Sequence, residues 1–219
     1  EAPVQPEPPA RPHSRERGSA PDLRLRPVSQ GGQSPEGSLA LARAALAALE
    51  ASRARIDDLN VYPVPDGDTG TNMTETARAV VSALERDLQA DIVRAALMGA
   101  RGNSGVILSQ FVRGAMEALG TERVDAARLA KALRGASDAG YAAVRNPQEG
   151  TMLTVVRALA EKAEEVAAGD HPVDEALAEI VAHGEHALAG TTEQLEILKQ
   201  AGVVDAGGAG VLEIVRGIA

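Results

Sequence analysis

The sequence predicts an all-α fold, and three observations support this prediction. Apolar residues recur at intervals of three and four, the period of an amphipathic helix, from about residue 37 to residue 218. The chain has only two Tyr and one Phe, and no run of alternating β-branched or aromatic residues indicates a strand. Several short segments rich in Gly, Asp, Asn and Thr interrupt the helical pattern, and we expect them to join one helix to the next.

The first helix is predicted to begin after Gly37, where Ser38 is available as its N-cap and where Leu46, Leu49 and Ile56 fall on one face. The same periodicity predicts further helices at 73–88, 92–98, 104–119, 124–144, 152–168, 173–188, 193–200 and 208–218. Many of these segments are rich in Ala, so their axes can approach closely. We therefore expect a bundle of about nine helices.

The chain divides into two parts at about residue 36. Eight of its 12 prolines lie at or before Pro35, in a stretch with scattered Ser, Gly and Arg and little apolar periodicity. We expect residues 1–36 to be a disordered tail or linker and residues 37–219 to be one folded domain. PxxP spacings such as Pro3 with Pro6 leave open a docking segment for modules that bind proline.

Composition excludes several classes of function. The chain has 31 Asp and Glu against 22 Lys and Arg, a formal net charge of -9, which argues against nucleic acid or an anionic membrane as the main partner. It has no Cys, which excludes disulfides and thiolate chemistry. No apolar run is long enough to span a membrane, so we expect a soluble cytoplasmic protein. The chain does not begin with Met, and we expect it to be part of a longer one.

The joint at 66–72 combines the features of a cation site and of a phosphate site. Asp66 and Asp68 flank Gly67, so two carboxylates can be presented on one tight turn. Mg²⁺ binds hard oxygen ligands and commonly takes one or two carboxylates together with substrate phosphates. Asn60 could add a side-chain carbonyl, and the segment 70–72 leads into a helix whose N-terminal N–H groups favour an anion. The alternative is a tight turn whose aspartates cap the next helix.

Three later joints are also rich in small polar residues. GARGNSG, at 99–105, places three glycines around Asn103 and Ser104 before an apolar helix, the pattern of a phosphate cradle, although it is no Walker A loop. The joint at 146–151 could cover a nucleotide with Thr151 and Met152, and the joint at 205–210 again puts an Asp and three glycines before a helix. Ordinary helix ends and caps explain each of these about as well when it is taken alone.

Four of these runs together resemble a known family. LNVYPVPDGDTGTNM at 59–73, GARGNSGVILSQ at 99–110, EGTMLTV at 149–155 and DAGGAG at 205–210 are similar to the nucleotide-binding domain shared by bacterial fatty acid kinases and by the ADP-carrying subunit of dihydroxyacetone kinases. The first run is closer to the fatty acid kinase branch. The resemblance implies an eight-helix antiparallel barrel with a Mg-nucleotide, ATP or ADP, in the loops at one end.

The resemblance also implies which residues bind. In the family, three side chains of the first loop hold two Mg²⁺ ions; Asp66 and Asp68 match two of them, and Asn60 is nearest to the third. The positions that match nucleotide contacts are Thr69, Gly70, Thr71, Asn72, Asn103, Ser104, Met152, Asp205 and Gly207. Thr69 stands where the other branch has His, so no role of that His is carried over.

The implied reaction is transfer of the γ-phosphoryl group of ATP to the carboxylate of a fatty acid that a carrier protein presents. A carboxylate is ionised at neutral pH, so we assign no general base and no catalytic residue. Two alternatives stay open: the nucleotide-binding subunit of a dihydroxyacetone kinase, and a regulatory module that binds nucleotide without turnover. Further domains of the same longer chain are expected partners, and the sequence leaves a homodimer open.

The histidines receive no role. His183 and His186 are three residues apart on a predicted helix, but no third ligand stands at a supporting spacing, so we interpret them as polar surface residues. His13 lies in the tail, and His171 precedes a proline in a turn.

Overall fold

Nine α-helices and no strand make up the part of the chain that the computed structural model describes, which is residues 34–119, 124–169 and 172–219. The helices are α1 (Pro35–Asp58), α2 (Thr69–Arg86), α3 (Ile92–Gly99), α4 (Gly102–Leu119), α5 (Ala126–Ala143), α6 (Met152–Ala167), α7 (Val173–Gln194), α8 (Glu196–Ala201) and α9 (Ala206–Ile218). The described residues belong to one compact unit, Gly31–Ala219. The all-α prediction is confirmed.

Helix α1 begins earlier than predicted. Its N-cap is Ser34, whose hydroxyl accepts the Gly37 N–H at 3.1 Å, and Pro35 occupies the first turn. Pro suits that position because its fixed φ is helical and its missing N–H would have had no partner. Ser38 lies inside the helix and donates its own N–H to the Ser34 carbonyl, so the prediction of Ser38 as the N-cap is wrong. The predicted tail falls, up to residue 33, outside the described residues.

Other boundaries differ by a few residues. Helix α2 begins at Thr69, four residues before the first apolar residue of its periodic pattern, and α7 continues past Leu188 to Gln194. The six-residue α8 follows after Leu195. Short polar or mixed stretches at helix ends have weak periodicity, so the sequence underestimates how far these helices extend.

The long helices form a closed ring. Helix α1 packs against α2 and α9, α2 against α4, α4 against α5, α5 against α6, and α6 against α7 and α9. The short α3 packs on α2 and α4, and α8 packs on α7. The ring closes because α9, the last helix of the chain, packs against α1, the first.

The core is centred on α6 and α9. Helix α6 buries nine of its 16 residues and α9 buries eight of its 13. Side chains from the surrounding helices complete the core, including Leu49, Ile56, Met73, Phe111 and Ile180.

Close approach of α4 and α5 depends on two glycines. A Cβ atom on Gly114 would overlap the carbonyl of Gly135, and a Cβ atom on Gly135 would overlap the carbonyl of Gly114. The two helices therefore cross with backbone against backbone. Within the described residues, none of the helices is both long and apolar enough to cross a membrane.

Candidate functional site

Four joints between helices meet at one end of the barrel and line a cleft of about 560 Å³, a volume typical of small-molecule sites. The first joint contributes Asn60, Tyr62, Pro63, Val64, Asp66, Asp68, Thr69 and Asn72. The second contributes Gly102, Asn103, Ser104, Val106 and Ile107, the third contributes Ala143, Val144, Asn146, Gln148, Thr151, Met152 and Leu153, and the fourth contributes Asp205 and Gly207. Convergence of the four joints is thus a property of the fold.

Four helices begin at this cleft. They are α2, α4, α6 and α9, so the positive ends of four helix dipoles lie around one space. The backbone N–H groups of Thr69, Asn103 and Ser104 have no hydrogen-bond acceptor within the described part of the chain. Free N–H groups at helix starts are suitable donors to an anion such as a phosphate.

Asn60 organises the first joint from a buried position, with only 6% of its surface exposed. Its Nδ2 donates to the Val64 carbonyl at 3.1 Å and to Oδ1 of Asp66 at 2.7 Å. Its Oδ1 accepts the hydroxyl of Thr69 at 2.7 Å. The amide of Asn60 therefore fixes the shape of the loop, and a role as third metal ligand stays a prediction. The peptide bond between Tyr62 and Pro63 is cis.

Two carboxylates of the first joint remain available. Asp66 is exposed, and only its Oδ1 receives a protein donor. Asp68 is the N-cap of α2, but its side chain makes no capping hydrogen bond. The alternative from the sequence, that both aspartates serve to cap the next helix, therefore does not describe this joint.

The donor set fits Mg²⁺ held together with a phosphate. Within the described residues there is no group of three or more His, Cys, Asp or Glu that could hold a metal ion. Mg²⁺ does not need such a cage, because it commonly binds through one or two carboxylates and completes its octahedron with phosphate oxygens and water. Two such carboxylates, those of Asp66 and Asp68, lie at this cleft beside free N–H groups at helix starts, so the residues present fit this mode of binding.

Asp57, which the sequence did not single out, contacts the same joint from the end of α1. Its Oδ1 accepts the Thr71 N–H at 2.9 Å, and its Oδ2 accepts the Thr71 hydroxyl at 2.8 Å. Its main-chain carbonyl accepts the N–H of Asn60 at 3.1 Å. One residue is therefore bonded to both sides of the loop that carries Asp66 and Asp68.

Buried threonines on neighbouring helices fix the second and fourth joints. Thr76 of α2 is 1% exposed, and its hydroxyl accepts the Arg101 N–H at 3.3 Å. Thr191 of α7 is fully buried, and its hydroxyl accepts the Asp205 N–H at 3.0 Å. Sequence reasoning missed both, because a Thr inside a helix carries no signal that its hydroxyl reaches another segment.

The third joint is fixed by a cluster around Glu149. Arg157 donates to both oxygens of Glu149 at 2.7 Å, and the hydroxyls of Tyr141 and Thr154 donate to it at 3.1 and 2.6 Å. Burial acts to raise the pKa of Glu149, but these hydrogen bonds outweigh it and the pKa is lowered. Burial raises the pKa of Tyr141 to about 12. The hydroxyl of Thr154 also accepts the Gly150 N–H at 2.9 Å.

Asp205 is a buried carboxylate at the start of α9, with 5% of its surface exposed. Its Oδ2 accepts the Gly208 N–H at 2.6 Å. Burial raises the pKa of Asp205 to about 6, although the N–H groups of Gly208 and Met152 act in the opposite direction. Its carboxylate therefore holds the fourth joint in place at the wall of the cleft.

Most predicted site residues lie at the cleft. Asn60, Asp66, Asp68, Thr69, Asn72, Asn103, Ser104, Met152, Asp205 and Gly207 line it. Gly70 and Thr71 do not; Gly70 packs on α1, and Thr71 is bonded to Asp57. His183 and His186 lie within α7 and belong to no metal-binding group of the described residues.

Comparison with known proteins points to one family. A family model described as the DAK2 domain matches residues 63–219. An uncharacterised protein of Staphylococcus saprophyticus is 43% identical over 170 residues, which are 74% of this chain and 31% of that protein. Protein YloV of Bacillus subtilis is 41% identical over 177 residues, which are 77% of this chain and 32% of that protein. The chain thus spans about a third of the length of these relatives.

Two solved structures share the fold. The dihydroxyacetone kinase of C. freundii in its native form matches with a TM-score of 0.60 and 19% identity, over 96% of this chain and 38% of that one. The same kinase in complex with AMP-PNP and Mg²⁺ matches with a TM-score of 0.63 and 18% identity, over 94% of this chain and 38% of that one.

Proposed function

Because this chain belongs to the DAK2 domain family, we propose that it is the nucleotide-binding domain of a kinase and that its four-joint cleft binds a Mg-nucleotide. One observation carries the proposal: two carboxylates without capping duties, Asp66 and Asp68, stand beside free N–H groups at helix starts. Cation ligands and anion donors in one cleft are what a metal-bound polyphosphate requires. The complex of the C. freundii kinase with AMP-PNP and Mg²⁺ supports the choice of ligand.

The cleft offers different surfaces to the two ends of a nucleotide. Its lining includes polar groups, among them the N–H groups of Asn103 and Ser104, which are available to phosphate oxygens. It also includes apolar side chains, among them Ile107, Val144 and Met152, which suit the faces of a purine base. In this proposal Asp66 and Asp68 hold Mg²⁺, and the number of ions follows the family resemblance at two.

The reaction that we propose is formation of an acyl phosphate. A carboxylate oxygen of a fatty acid attacks the γ-phosphorus of ATP, the bond from that phosphorus to the β,γ-bridging oxygen breaks, and ADP leaves. The bound metal neutralises charge on the phosphates. The residues of this chain orient the nucleotide and keep its phosphates in place, and positioning with charge stabilisation is most of what phosphoryl transfer demands. No residue has to remove a proton, because the acceptor is already ionised.

A second candidate reaction is phosphorylation of dihydroxyacetone, which the two matching kinase structures favour through their fold. The first candidate draws its support from NVYPVPDGDTGTNM at 60–73, which is closer to the fatty acid kinase branch. In either case a second protein or domain must present the acceptor. We propose a fatty-acid-binding carrier protein, together with further domains of a longer cytoplasmic chain.

Binding is tested with Asp66→Ala and Asp68→Ala. Isothermal titration with AMP-PNP and Mg²⁺ should give binding to the wild-type chain and loss of the Mg²⁺-dependent part in each variant, with helix content by circular dichroism unchanged. Asp58→Ala is the matched control, because Asp58 is an exposed carboxylate near the same loop with no hydrogen bond or ion pair. Equal affinity in both variants and in the wild type would remove the metal assignment.

The acceptor is tested separately. The full-length chain, with ATP and Mg²⁺, is offered either a fatty-acid-loaded carrier protein or dihydroxyacetone with its binding subunit, and ADP release is followed. We expect turnover with the first acceptor. Turnover only with the second would select the other reaction, and nucleotide binding without turnover on either would favour a regulatory module.

A further inference from the structure

Helix α2 is capped from outside its own sequence. The N–H of Thr71, third residue of α2, donates to Oδ1 of Asp57 at 2.9 Å, and Asp57 belongs to α1. The Thr71 hydroxyl donates to the second carboxylate oxygen of Asp57 at 2.8 Å. Gly70 permits this approach, since a Cβ atom there would meet the Arg53 carbonyl and would lie 3.0 Å from Oδ1 of Asp57.

The other helices with Asp at the N-cap are capped locally. Asp91 accepts the N–H of Arg94 at 2.9 Å, Asp125 accepts that of Arg128 at 2.8 Å, and Asp205 accepts that of Gly208 at 2.6 Å. In each case the donor is the third residue of the helix, one of the two positions at which an N-cap side chain can accept an N–H.

Helix α2 departs from this rule. Its N-cap Asp68 has φ -123° and ψ 3°, outside the extended region in which the other three Asp N-caps lie. The N–H at the position that the other three caps accept is that of Thr71, the third residue of α2. Asp57 has already accepted that N–H, and the Asp68 side chain makes no capping hydrogen bond. The Asp57 carboxylate therefore occupies the donor position that the N-cap carboxylate occupies in the other three helices.

We propose that Asp57 is a positioning residue for the metal site: by occupying the Thr71 N–H, it keeps the Asp68 carboxylate turned away from its own helix and free to bind a divalent cation. The proposal rests on the proposed Mg-nucleotide function. Without Asp57, the Thr71 N–H is vacant and Asp68 becomes an ordinary N-cap. The helix then keeps its cap, while the cation loses a ligand.

The experiment compares Asp57→Ala, Asp57→Asn and the control Asp58→Ala in the full chain. AMP-PNP binding is titrated calorimetrically over a series of Mg²⁺ concentrations and also in EDTA. Asp57→Ala should need about 10-fold to 100-fold more Mg²⁺ for half-maximal enhancement of binding, the range typical of lost support for a metal ligand. Its affinity for AMP-PNP in EDTA and its helix content should not change.

Asp57→Asn should keep the Mg²⁺ dependence of the wild type, because the amide oxygen still accepts the Thr71 N–H. Asp58→Ala removes the same charge from the neighbouring residue, whose exposed side chain makes no hydrogen bond within the described residues, and should have no effect. A crystal structure of Asp57→Ala should place an Asp68 carboxylate oxygen within hydrogen-bond distance of the Thr71 nitrogen.

Several results would overturn the proposal. The first is a Mg²⁺ dependence in Asp57→Ala that equals that of the wild type. The second is a loss of Mg²⁺-dependent binding in Asp57→Asn as large as that in Asp57→Ala, which would indicate a role of charge alone. The third is a loss of AMP-PNP affinity in Asp57→Ala that is equal with and without Mg²⁺. If Asp57→Ala does not fold, Asp57→Leu keeps the size and branching of the side chain and is measured instead; unfolding of both would make Asp57 a stability residue only. Failure of the wild type to bind Mg-AMP-PNP would instead refute the proposed function.

Discussion

The buried carboxylate of Asp205 should make the stability of this domain depend on pH. Asp205 is 5% exposed, and burial raises its pKa from the ordinary 3.8 to about 6. The folded state therefore binds a proton more tightly than the unfolded state does. Stability from this group is greatest below about pH 4, falls as the pH rises from 4 to 6, and stays at its lowest value above that. Asp205→Asn removes the titration while keeping an oxygen that can accept the Gly208 N–H.

The size of the effect follows from the shift. A difference of about two pKa units corresponds to roughly 3 kcal/mol in the free energy of unfolding. The amide and the carboxylate also differ in capping strength, but that difference does not depend on pH and shifts the whole curve. The free energy of unfolding of Asp205→Asn, minus that of the wild type, should therefore rise by roughly 3 kcal/mol between pH 3.5 and pH 7. This corresponds to a rise of about 6–12 °C in the difference between their midpoint temperatures.

The assay is urea denaturation followed by circular dichroism across that pH range. Asp91→Asn is the matched control, because Asp91 caps α3 through the Arg94 N–H at 2.9 Å but is exposed. If the free energies of unfolding of Asp205→Asn and of the wild type differ by the same amount at every pH in this range, the argument from burial is refuted. A rise for Asp91→Asn as large as that for Asp205→Asn would refute it equally.

Two further substitutions test the packing, one beside the cleft and one where α4 crosses α5, and a third serves as a control. Thr154→Val should cost about 1–3 kcal/mol of unfolding free energy and weaken AMP-PNP binding, because the buried Gly150 N–H loses its acceptor at 2.9 Å; denaturation and calorimetry measure the two effects. Gly114→Ala should cost about 1–3 kcal/mol or more, because its Cβ would overlap the Gly135 carbonyl where α4 crosses α5. Gly190→Ala, where a Cβ has space, should instead be neutral or stabilising by up to about 1 kcal/mol. Equal costs for the two Gly variants would contradict the close crossing.

The sequence predicts the fold well because the helices are long and periodic. It identifies the four joints for a related reason: clusters of Gly, Asp and Asn are rare in the middle of Ala-rich helices, so they mark the places where helices begin. The structure then brings Asp66, Asn103, Met152 and Asp205 to one cleft, which no spacing along the chain could establish. That convergence comes from ring closure between α1 and α9, a contact between the two ends of the folded domain.

Asp57 shows why part of the site could not be predicted from the sequence. In the sequence it stands next to Asp58 at the end of a helix, and the two look alike; only the folded chain shows that one is bonded to Thr71 and the other is exposed. The prediction of Ser38 as the N-cap of α1 was wrong for a different reason. Ser34 and Ser38 are both acceptable caps by composition, and Pro35 in the first turn decides between them.

The meeting of four helix starts at one cleft has a consequence for how the surface of this domain can change. The domain belongs to a chain with a formal net charge of -9, whose long-range field repels polyphosphates. The attraction at the cleft comes from peptide groups, which are the same whatever side chains the helices carry. Acidic residues can therefore be gained or lost over most of the exterior without changing the N–H donors at the four joints, so the short-range attraction for an anion does not depend on the surface charge that governs solubility.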